Sequence, residues 1–331
     1  MPDEIATQSD PALLARVRDV AGGVNGRLAF AVVDLEPEPT TRRALIGTSP
    51  DTLFEIGSIT KALTGMLLAE FVERGRLSLA TEVGEVAPIP SGSDLSSVTL
   101  LELATHTSGL PRMPASGASS LRSWSHAVLG RNPYRGSPAS VIELAARQTL
   151  HSRGQRRYSN IGGAALGEIL AVVADTAYPS LLAERILRPL QMGRTTVSTK
   201  GHHALSGRSS RGLPREPWVL QGYAPAGGVV STIDDMARLA AALLDGTAPG
   251  LRSIEPINGI PTDRPNRRSG LFWMIDGPPD RVPTITWHNG GTGGYSSLLV
   301  LVPEARKAVI ALQSVAGRSQ HLQRIALELA H

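Results

Sequence analysis

The order of the predicted elements along the chain constrains its fold more than any single motif does. Two β-branched, apolar stretches near the start, at 27–35 and 44–47, predict strands. Four more predicted strands follow one another near the end, at 270–276, 284–288, 297–302 and 308–313. Consecutive late strands can pair antiparallel, and strands far apart in sequence can share one sheet. We therefore expect an α+β fold with an antiparallel sheet that both chain ends build and helices flank.

Helical spacing of apolar residues fills most of the remaining chain. The predicted helices are 13–20, 62–75, 99–105, 138–150, 161–175, 178–187, 231–244 and 320–330. We expect a sheet domain made of residues 1–78 and about 266–331, with an inserted helical subdomain at about 79–265. The stretch 115–135 has little apolar pattern and is predicted to be a long surface loop. A cleft between the two units is the expected place for a site.

The first candidate motif is Ser58-Ile-Thr-Lys61, which leads directly into the helix predicted at 62–75. Residues three apart on a helix share a face, so the hydroxyl and the amine are neighbours. A serine hydroxyl becomes a good nucleophile only when a base takes its proton, and a desolvated lysine can serve as that base. The alternative is that Ser58 merely caps the helix, which is the commoner role of a serine at a helix start.

Lysine is rare in this chain, which gives Lys61 more weight. The other lysines are Lys200 and Lys307, and arginine supplies the remaining basic side chains. An arginine cannot lose its proton at any working pH, so a base at this position has to be a lysine.

The second candidate motif is Tyr158-Ser-Asn160, just before the helix predicted at 161–175. A tyrosine near Lys61 can relay a proton between the nucleophile and a leaving group. The Asn160 amide both donates and accepts hydrogen bonds, which suits a grip on a substrate amide or on the Lys61 ammonium. The alternative is a cap formed by Ser159 or Asn160, with Tyr158 as a packing residue.

The third candidate motif is the run His288, Asn289, Gly290 and Gly291, at the end of a predicted strand. Glycines at a strand edge let a substrate approach the backbone closely, and a free N–H there can complete an oxyanion hole. A glycine-rich hairpin is the structural alternative. Phosphate binding is disfavoured because the run lacks the G-x-G-x-x-G spacing and the strand–loop–helix setting.

Composition excludes several other classes of function. The chain has no cysteine, so disulfides, thiolate metal sites and cysteine nucleophiles are excluded. The formal net charge is +4, and the arginines are scattered in small groups, without the long basic stripe that nucleic-acid binding needs. Those groups, such as Arg153, Arg156 and Arg157 or Arg264, Arg267 and Arg268, are predicted to be solvated surface, with a modest preference for anionic small molecules as the alternative. The polar, acidic start lacks the pattern of a secretory signal, and no apolar stretch has the length of a membrane span. We expect a cytoplasmic protein that binds neither nucleic acid nor membrane.

Taken together and in this order, the three motifs resemble those of the serine β-lactamase-like superfamily. That superfamily contains class C β-lactamases, D,D-peptidases, esterases and transacylases. Three further stretches carry the same resemblance, at 101–110, 226–232 and 287–295. The tyrosine of the second motif makes the chain similar to the class C branch.

The resemblance implies a role for each motif residue. Ser58 is the acylated nucleophile, Lys61 activates it, and Tyr158 passes the proton to the leaving group. Asn160 orients the substrate, and the backbone N–H groups of Ser58 and Gly291 form the oxyanion hole. No cofactor or metal is implied. His106 falls in a stretch that the resemblance makes a structural loop.

The chain departs from the β-lactamase pattern at two positions. His288 stands where those enzymes have a lysine, and Asn289 replaces a threonine. A histidine is mostly neutral at pH 7, so this position gives little hold on a substrate carboxylate. We therefore expect a serine hydrolase or acyltransferase acting on a small-molecule ester or amide, with water or a second amine or alcohol as the acceptor. The alternatives are a weak β-lactamase or D,D-peptidase, and a non-catalytic binding or sensor module on the same fold.

Overall fold

A computed structural model describes residues 8–21, 26–114, 131–134, 136–199, 206–277 and 284–330. The strands, in chain order, are β1 (Leu28–Asp34), β2 (Thr40–Ile46), β3 (Phe54–Glu55), β4 (Thr196–Val197), β5 (Val229–Ser231), β6 (Arg267–Ser269), β7 (Met274–Asp276), β8 (Ile285–Gly291), β9 (Ser296–Val302) and β10 (Lys307–Gln313). The α-helices are α1 (Pro11–Ala21), α2 (Ile59–Glu73), α3 (Val83–Val86), α4 (Leu100–Ala104), α5 (Pro138–Ala146), α6 (Asn160–Val173), α7 (Tyr178–Leu182), α8 (Ala224–Gly227), α9 (Ile233–Asp245) and α10 (Ser319–Ala330).

Strands from both ends of the chain form the main sheet, as the sequence predicts. Within the described residues this sheet is antiparallel and has seven strands in the order β2-β1-β10-β9-β8-β7-β6. Strand β1 joins the N-terminal strands to the C-terminal strands of this sheet, because it pairs with β2 on one side and with β10 on the other. The α+β class is confirmed, while the division into a sheet domain and an inserted subdomain stays a prediction.

The main sheet is buried on both faces, which explains the unbroken apolar run in β1. Ala29, Ala31 and Val33 face a large core shared with α2 and α9, whereas Phe30 and Val32 face a smaller core covered by α1 and α10. Alternate residues of a strand point to opposite faces, so only a strand covered on both sides is apolar at every position.

Helix α2 lies at the centre of the large core. Residues Ile59 to Phe71 are all buried, although this stretch includes Lys61 and Glu70. A helix that is apolar on every side is an interior helix. The N-terminus of α2 is therefore fixed by packing around its whole circumference, and the residues at that end inherit this rigidity.

The sequence interpretation misses several short elements. A second sheet of β3, β5 and β4 consists of strands two or three residues long, which leave no periodic pattern. The predicted strand 270–276 is reduced to β7, because residues 271 and 272 turn away and donate backbone hydrogen bonds to Ser253 and Ala104. The helix predicted at 138–150 ends at Ala146. Of the predicted loop 115–135, residues 115–130 and 135 lie outside the described residues.

In the part of the chain that the structure describes, no single helix has the length and apolar character needed to cross a membrane. Helix α6 and the segment Tyr178–Leu187 meet that test only as a pair, and a bend of 82° separates them.

Candidate active site

Ser58 stands immediately before α2, at the end of the segment that follows β3. Its backbone is helical, with φ −65° and ψ −8°, and within the described residues its side chain makes no capping hydrogen bond. The Ser58 hydroxyl therefore does not cap α2 in this structure. The preceding residue, Gly57, has φ +51°, and a side chain there would come within 2.7 Å of the Gly291 backbone nitrogen. Glycine at position 57 lets the backbone next to Ser58 pass close to the Gly291 backbone.

Lys61 lies one turn further along α2 and is completely buried. Its Nζ donates hydrogen bonds to the Ala226 carbonyl at 2.6 Å, to Asn160 Oδ1 at 2.9 Å and to Ser58 Oγ at 3.3 Å. Burial lowers the pKa of Lys61 because desolvation penalises the ammonium form, although the nearby Tyr158 opposes the change. A lysine in this environment exists as a neutral amine far more readily than one in water.

Tyr158 completes the contact with the nucleophile. Its hydroxyl lies 2.7 Å from Ser58 Oγ, and its ring packs beneath two cations, with Lys61 Nζ 4.9 Å and Arg112 Cζ 5.3 Å from the ring centroid. The capping role in this motif belongs to Ser159, whose hydroxyl accepts a hydrogen bond from the Gly162 N–H at 2.9 Å. The motif thus both caps α6 and presents a phenol to the nucleophile.

Asn160 bridges Lys61 and the wall of the site. While its Oδ1 accepts from Lys61, its Nδ2 donates to the Tyr134 hydroxyl at 2.8 Å. The side chain is 6% exposed. Both functional atoms of the amide are therefore committed, which fixes the direction in which Lys61 points.

The third motif forms the last four residues of strand β8, which runs beside the segment that leads to Ser58. A side chain at Gly290 would come within 1.9 Å of the Ile56 carbonyl oxygen, so only glycine fits at this crossing. His288 is buried, and its Nδ1 lies 2.7 Å from the Asn289 carbonyl oxygen. Burial, with the charges of Lys61 and Arg156, lowers the pKa of His288 to about 3. The imidazole is neutral at pH 7, so position 288 carries no fixed charge.

Two cavities meet at Ser58. The larger has a volume of about 340 Å³ and extends past Gly290 and Gly291; we call it the cationic cavity, after Arg112, Arg156 and Arg267 in its wall. The smaller has a volume of about 100 Å³, and we call it the aromatic cavity. Its wall contains Tyr134, Trp218, Tyr223 and Leu220, together with Asn160. Every residue named as a candidate in the three motifs, except Lys61 behind Ser58, lines one or both cavities.

The sequence interpretation missed the residues that shape these cavities. The arginine groups were predicted to be solvated surface, yet Arg267 is 8% exposed and the Arg156 side chain is 16% exposed. Arg156 stands two residues before Tyr158, and both side chains line the cationic cavity. The aromatic residues come from positions with no local pattern that marks them as site residues.

His106 lies under Tyr158 without contacting Ser58 in the described hydrogen-bond network. Its ring centroid is 4.5 Å from that of Tyr158, and its Nδ1 accepts a hydrogen bond from the Ser159 N–H at 3.2 Å. Burial holds the pKa of His106 well below its usual value. A neutral His106 therefore supports the position of the Tyr158 segment.

Across the described residues, no group of three or more histidine or acidic side chains could hold a metal ion. The functional groups at the site are the Ser58 hydroxyl, the Lys61 amine, the Tyr158 phenol and backbone N–H groups.

Comparison with known proteins identifies the family. The family model described as Beta-lactamase matches residues 24–330. The chain belongs to the β-lactamase family. Members of this family are serine hydrolases, so the site around Ser58 agrees with the family in the type of nucleophile.

Curated relatives of this family differ widely in what they act on. The D-alanyl-D-alanine-carboxypeptidase/endopeptidase AmpH of Escherichia coli K12 is 27% identical over 273 residues, covering 77% of this chain and 69% of the relative. The unguisins hydrolase ungD' of Aspergillus campestris is 25% identical over 296 residues, covering 79% and 52%.

Solved structures of the family share the fold. The D-alanine carboxypeptidase AmpC from Burkholderia cenocepacia has a TM-score of 0.75 and 21% identity, with 99% of each chain covered. A class C β-lactamase has a TM-score of 0.77 and 18% identity, with 97% of this chain and 98% of that chain covered. The β-lactamase-like fold expected from the motifs is thereby confirmed.

Proposed function

We propose that this protein is a serine hydrolase or acyltransferase that acts on a small-molecule ester or amide through an acyl-enzyme on Ser58. The observation that carries the proposal is the pair of contacts at Ser58 Oγ, with the Tyr158 hydroxyl at 2.7 Å and Lys61 Nζ at 3.3 Å. A serine hydroxyl that contacts both a phenol and a desolvated amine is a nucleophile with its base in place.

In the acylation step, Ser58 Oγ attacks the carbonyl carbon while Lys61, directly or through Tyr158, takes the hydroxyl proton. The Oγ–carbon bond forms, and the N–H groups of Ser58 and Gly291 stabilise the oxyanion. The bond from the carbonyl carbon to the leaving oxygen or nitrogen then breaks, and Tyr158 returns the proton to that atom. In deacylation, water or an acceptor gives its proton to the same pair while its oxygen or nitrogen bonds to the acyl carbon. The Oγ–carbon bond then breaks, and the proton returns to Ser58 Oγ.

The two cavities suggest where each part of a substrate sits. The aromatic cavity, at about 100 Å³, suits a short acyl group, with its carbonyl oxygen toward the N–H groups of Ser58 and Gly291. The cationic cavity, at about 340 Å³, has room for the leaving group and afterwards for an acceptor larger than water. This difference in size supports transfer to an amine or alcohol as the second function of the site.

Pre-steady-state kinetics with an aryl acetate test the proposal. We expect a burst of released phenol equal to the enzyme concentration whenever deacylation is the slower step, and no burst from Ser58→Ala. Amines and alcohols are then added at increasing concentrations, and the ratio of transfer product to free acid is measured. A true acceptor saturates at low concentration and appears as transfer product, whereas competition no better than solution reactivity would make the enzyme a hydrolase only.

A further inference from the structure

Position 288 has a histidine in place of the lysine that would bind a substrate carboxylate, but other residues in the wall of the cationic cavity carry positive charge. Three arginines line its wall, against one acidic residue, Asp263. His288 is neutral there, and its imidazole is engaged with the Asn289 carbonyl. A cavity with several guanidinium groups and a neutral histidine favours an anionic occupant.

The three arginines differ in how much of their charge is already paired. Arg267 donates hydrogen bonds to both oxygens of Asp263 at 3.0 Å and to Asp276 at 2.6 and 2.8 Å, so two carboxylates already pair with its charge. Arg112 is exposed and stacks on Tyr158. Arg156 is covered over most of its side chain, and its nearest acidic atom is Asp263 Oδ1 at 4.0 Å, the limit for an ion pair. Among the described residues, the Arg156 guanidinium donates no hydrogen bond to any acceptor.

We infer that Arg156 anchors an anionic group, a carboxylate in the first instance, on the part of the substrate or acceptor that occupies the cationic cavity. This inference rests on the proposed function and adds to it a specificity-determining residue. The positive charge that binds the carboxylate then lies in the segment that precedes Tyr158, and not on strand β8.

The position of Arg156 fits that role. Arg156 and Tyr158 both line the cationic cavity, so the guanidinium and the phenol face the same space. The cavity that Arg156 lines also contains Ser58, Gly290 and Gly291. A guanidinium held by packing loses less side-chain entropy when it binds a carboxylate than an exposed one does, and it can bind both oxygens at once. Arg157, the next residue, is exposed and does not line the cavity.

A matched pair of acetate esters tests the inference, 3-acetoxybenzoate and its neutral analogue 3-acetoxybenzamide. Both give the same acetyl-enzyme, so a difference between them arises in acylation. In each, Ser58 Oγ bonds to the acetyl carbon, the bond from that carbon to the phenolic oxygen breaks, and the serine proton ends on the released phenol. The measured quantity is the ratio of kcat/KM for the acid to kcat/KM for the amide.

We expect the wild-type protein to favour the acid, and Arg156→Gln to lower the ratio by about tenfold to a hundredfold, the range for losing a charged hydrogen-bond partner. Arg156→Lys keeps part of the preference. Arg157→Gln removes the same charge from the neighbouring residue and leaves the ratio unchanged. Equal ratios in Arg156→Gln and Arg157→Gln would overturn the inference, as would a wild-type protein that does not favour the acid.

The design separates this inference from the proposed function. If neither ester acylates Ser58, the proposed function is wrong; if the amide reacts and the acid has no advantage, only the role of Arg156 is wrong. Should Arg156→Gln fail to fold, inhibition of wild-type 3-acetoxybenzamide hydrolysis by 3-hydroxybenzoate and by 3-hydroxybenzamide tests the anionic preference of the cavity, and the acid-to-amide ratio of Arg156→Lys tests the role of Arg156. We expect the acid to inhibit more strongly, with an advantage that salt reduces, and equal inhibition would refute the anchor.

Discussion

Replacing Lys61 with arginine is the sharpest single perturbation of the catalytic pair. Lys61 is buried, its amine makes three hydrogen bonds, and desolvation lowers its pKa. Arginine keeps the charge but cannot become neutral, so the base is lost. Losing a general base costs about 10²- to 10⁴-fold in rate. We therefore expect Lys61→Arg to lose at least about a hundredfold in the acylation rate.

A larger side chain in a closed site also costs stability, about 1–3 kcal/mol for overpacking. Lys61→Met, which roughly conserves shape, separates the loss of the base from this strain, and we expect it to lose as much rate as the arginine variant. Lys307→Arg is the matched control, because Lys307 pairs with Asp34 at 3.6 Å on the sheet, away from the two cavities. The assay is single-turnover phenol release, with thermal unfolding of each variant. The reasoning fails if folded Lys61→Met and Lys61→Arg both keep more than about a third of the wild-type rate.

Three further outcomes follow from the same geometry. Tyr158→Phe removes the 2.7 Å contact with Ser58 Oγ, and we expect about a hundredfold loss or more in single-turnover acylation with little change in Tm; a nearly active variant would remove Tyr158 from the proton path. Glu55 is buried and its pKa is raised from 4.5 to about 7, so its carboxyl favours folding at low pH, and the free energy of unfolding falls as pH rises from about 4.5 to 7. At about 1.4 kcal/mol per pKa unit, the change is about 3 kcal/mol, and urea unfolding at pH 5 and 8 should show a smaller difference in Glu55→Gln than in wild type. Nitrocefin should turn over more slowly, by kcat/KM, than short aryl esters, because its thienylacetamido acyl side is much larger than the short acyl group that suits the aromatic cavity of about 100 Å³; the opposite order would refute the assignment of that cavity to the acyl group.

The elements that the sequence predicted well are those whose burial is uniform along their length. Strand β1 is apolar at every position because both faces are covered, and α2 is apolar all round because it is an interior helix. Strands β3 and β4, two residues each, are set by contacts with β5 far along the chain, which no local pattern records.

The candidate site divides in the same way. Ser58, Lys61 and Tyr158 stand in short motifs whose chemistry is legible from residue type and spacing, and the structure brings the three together. Whether an arginine lies on the surface or in a cavity wall depends on the tertiary packing around it. The sequence therefore predicts Arg156 and Arg267 as solvated, although both are largely buried. The aromatic cavity combines residues 134, 218 and 223 from separate segments, and only the tertiary fold makes them neighbours.

Intact-protein and peptide mass spectrometry test the central claim most directly. The protein is mixed with a short aryl ester, quenched within the first turnover and digested. We expect one added acyl mass on the peptide that contains Ser58, on that residue, with no addition in Ser58→Ala and slow addition in Lys61→Met. An acyl group that forms at another residue, or that persists at full yield in Ser58→Ala, would contradict the assignment of Ser58 as the nucleophile.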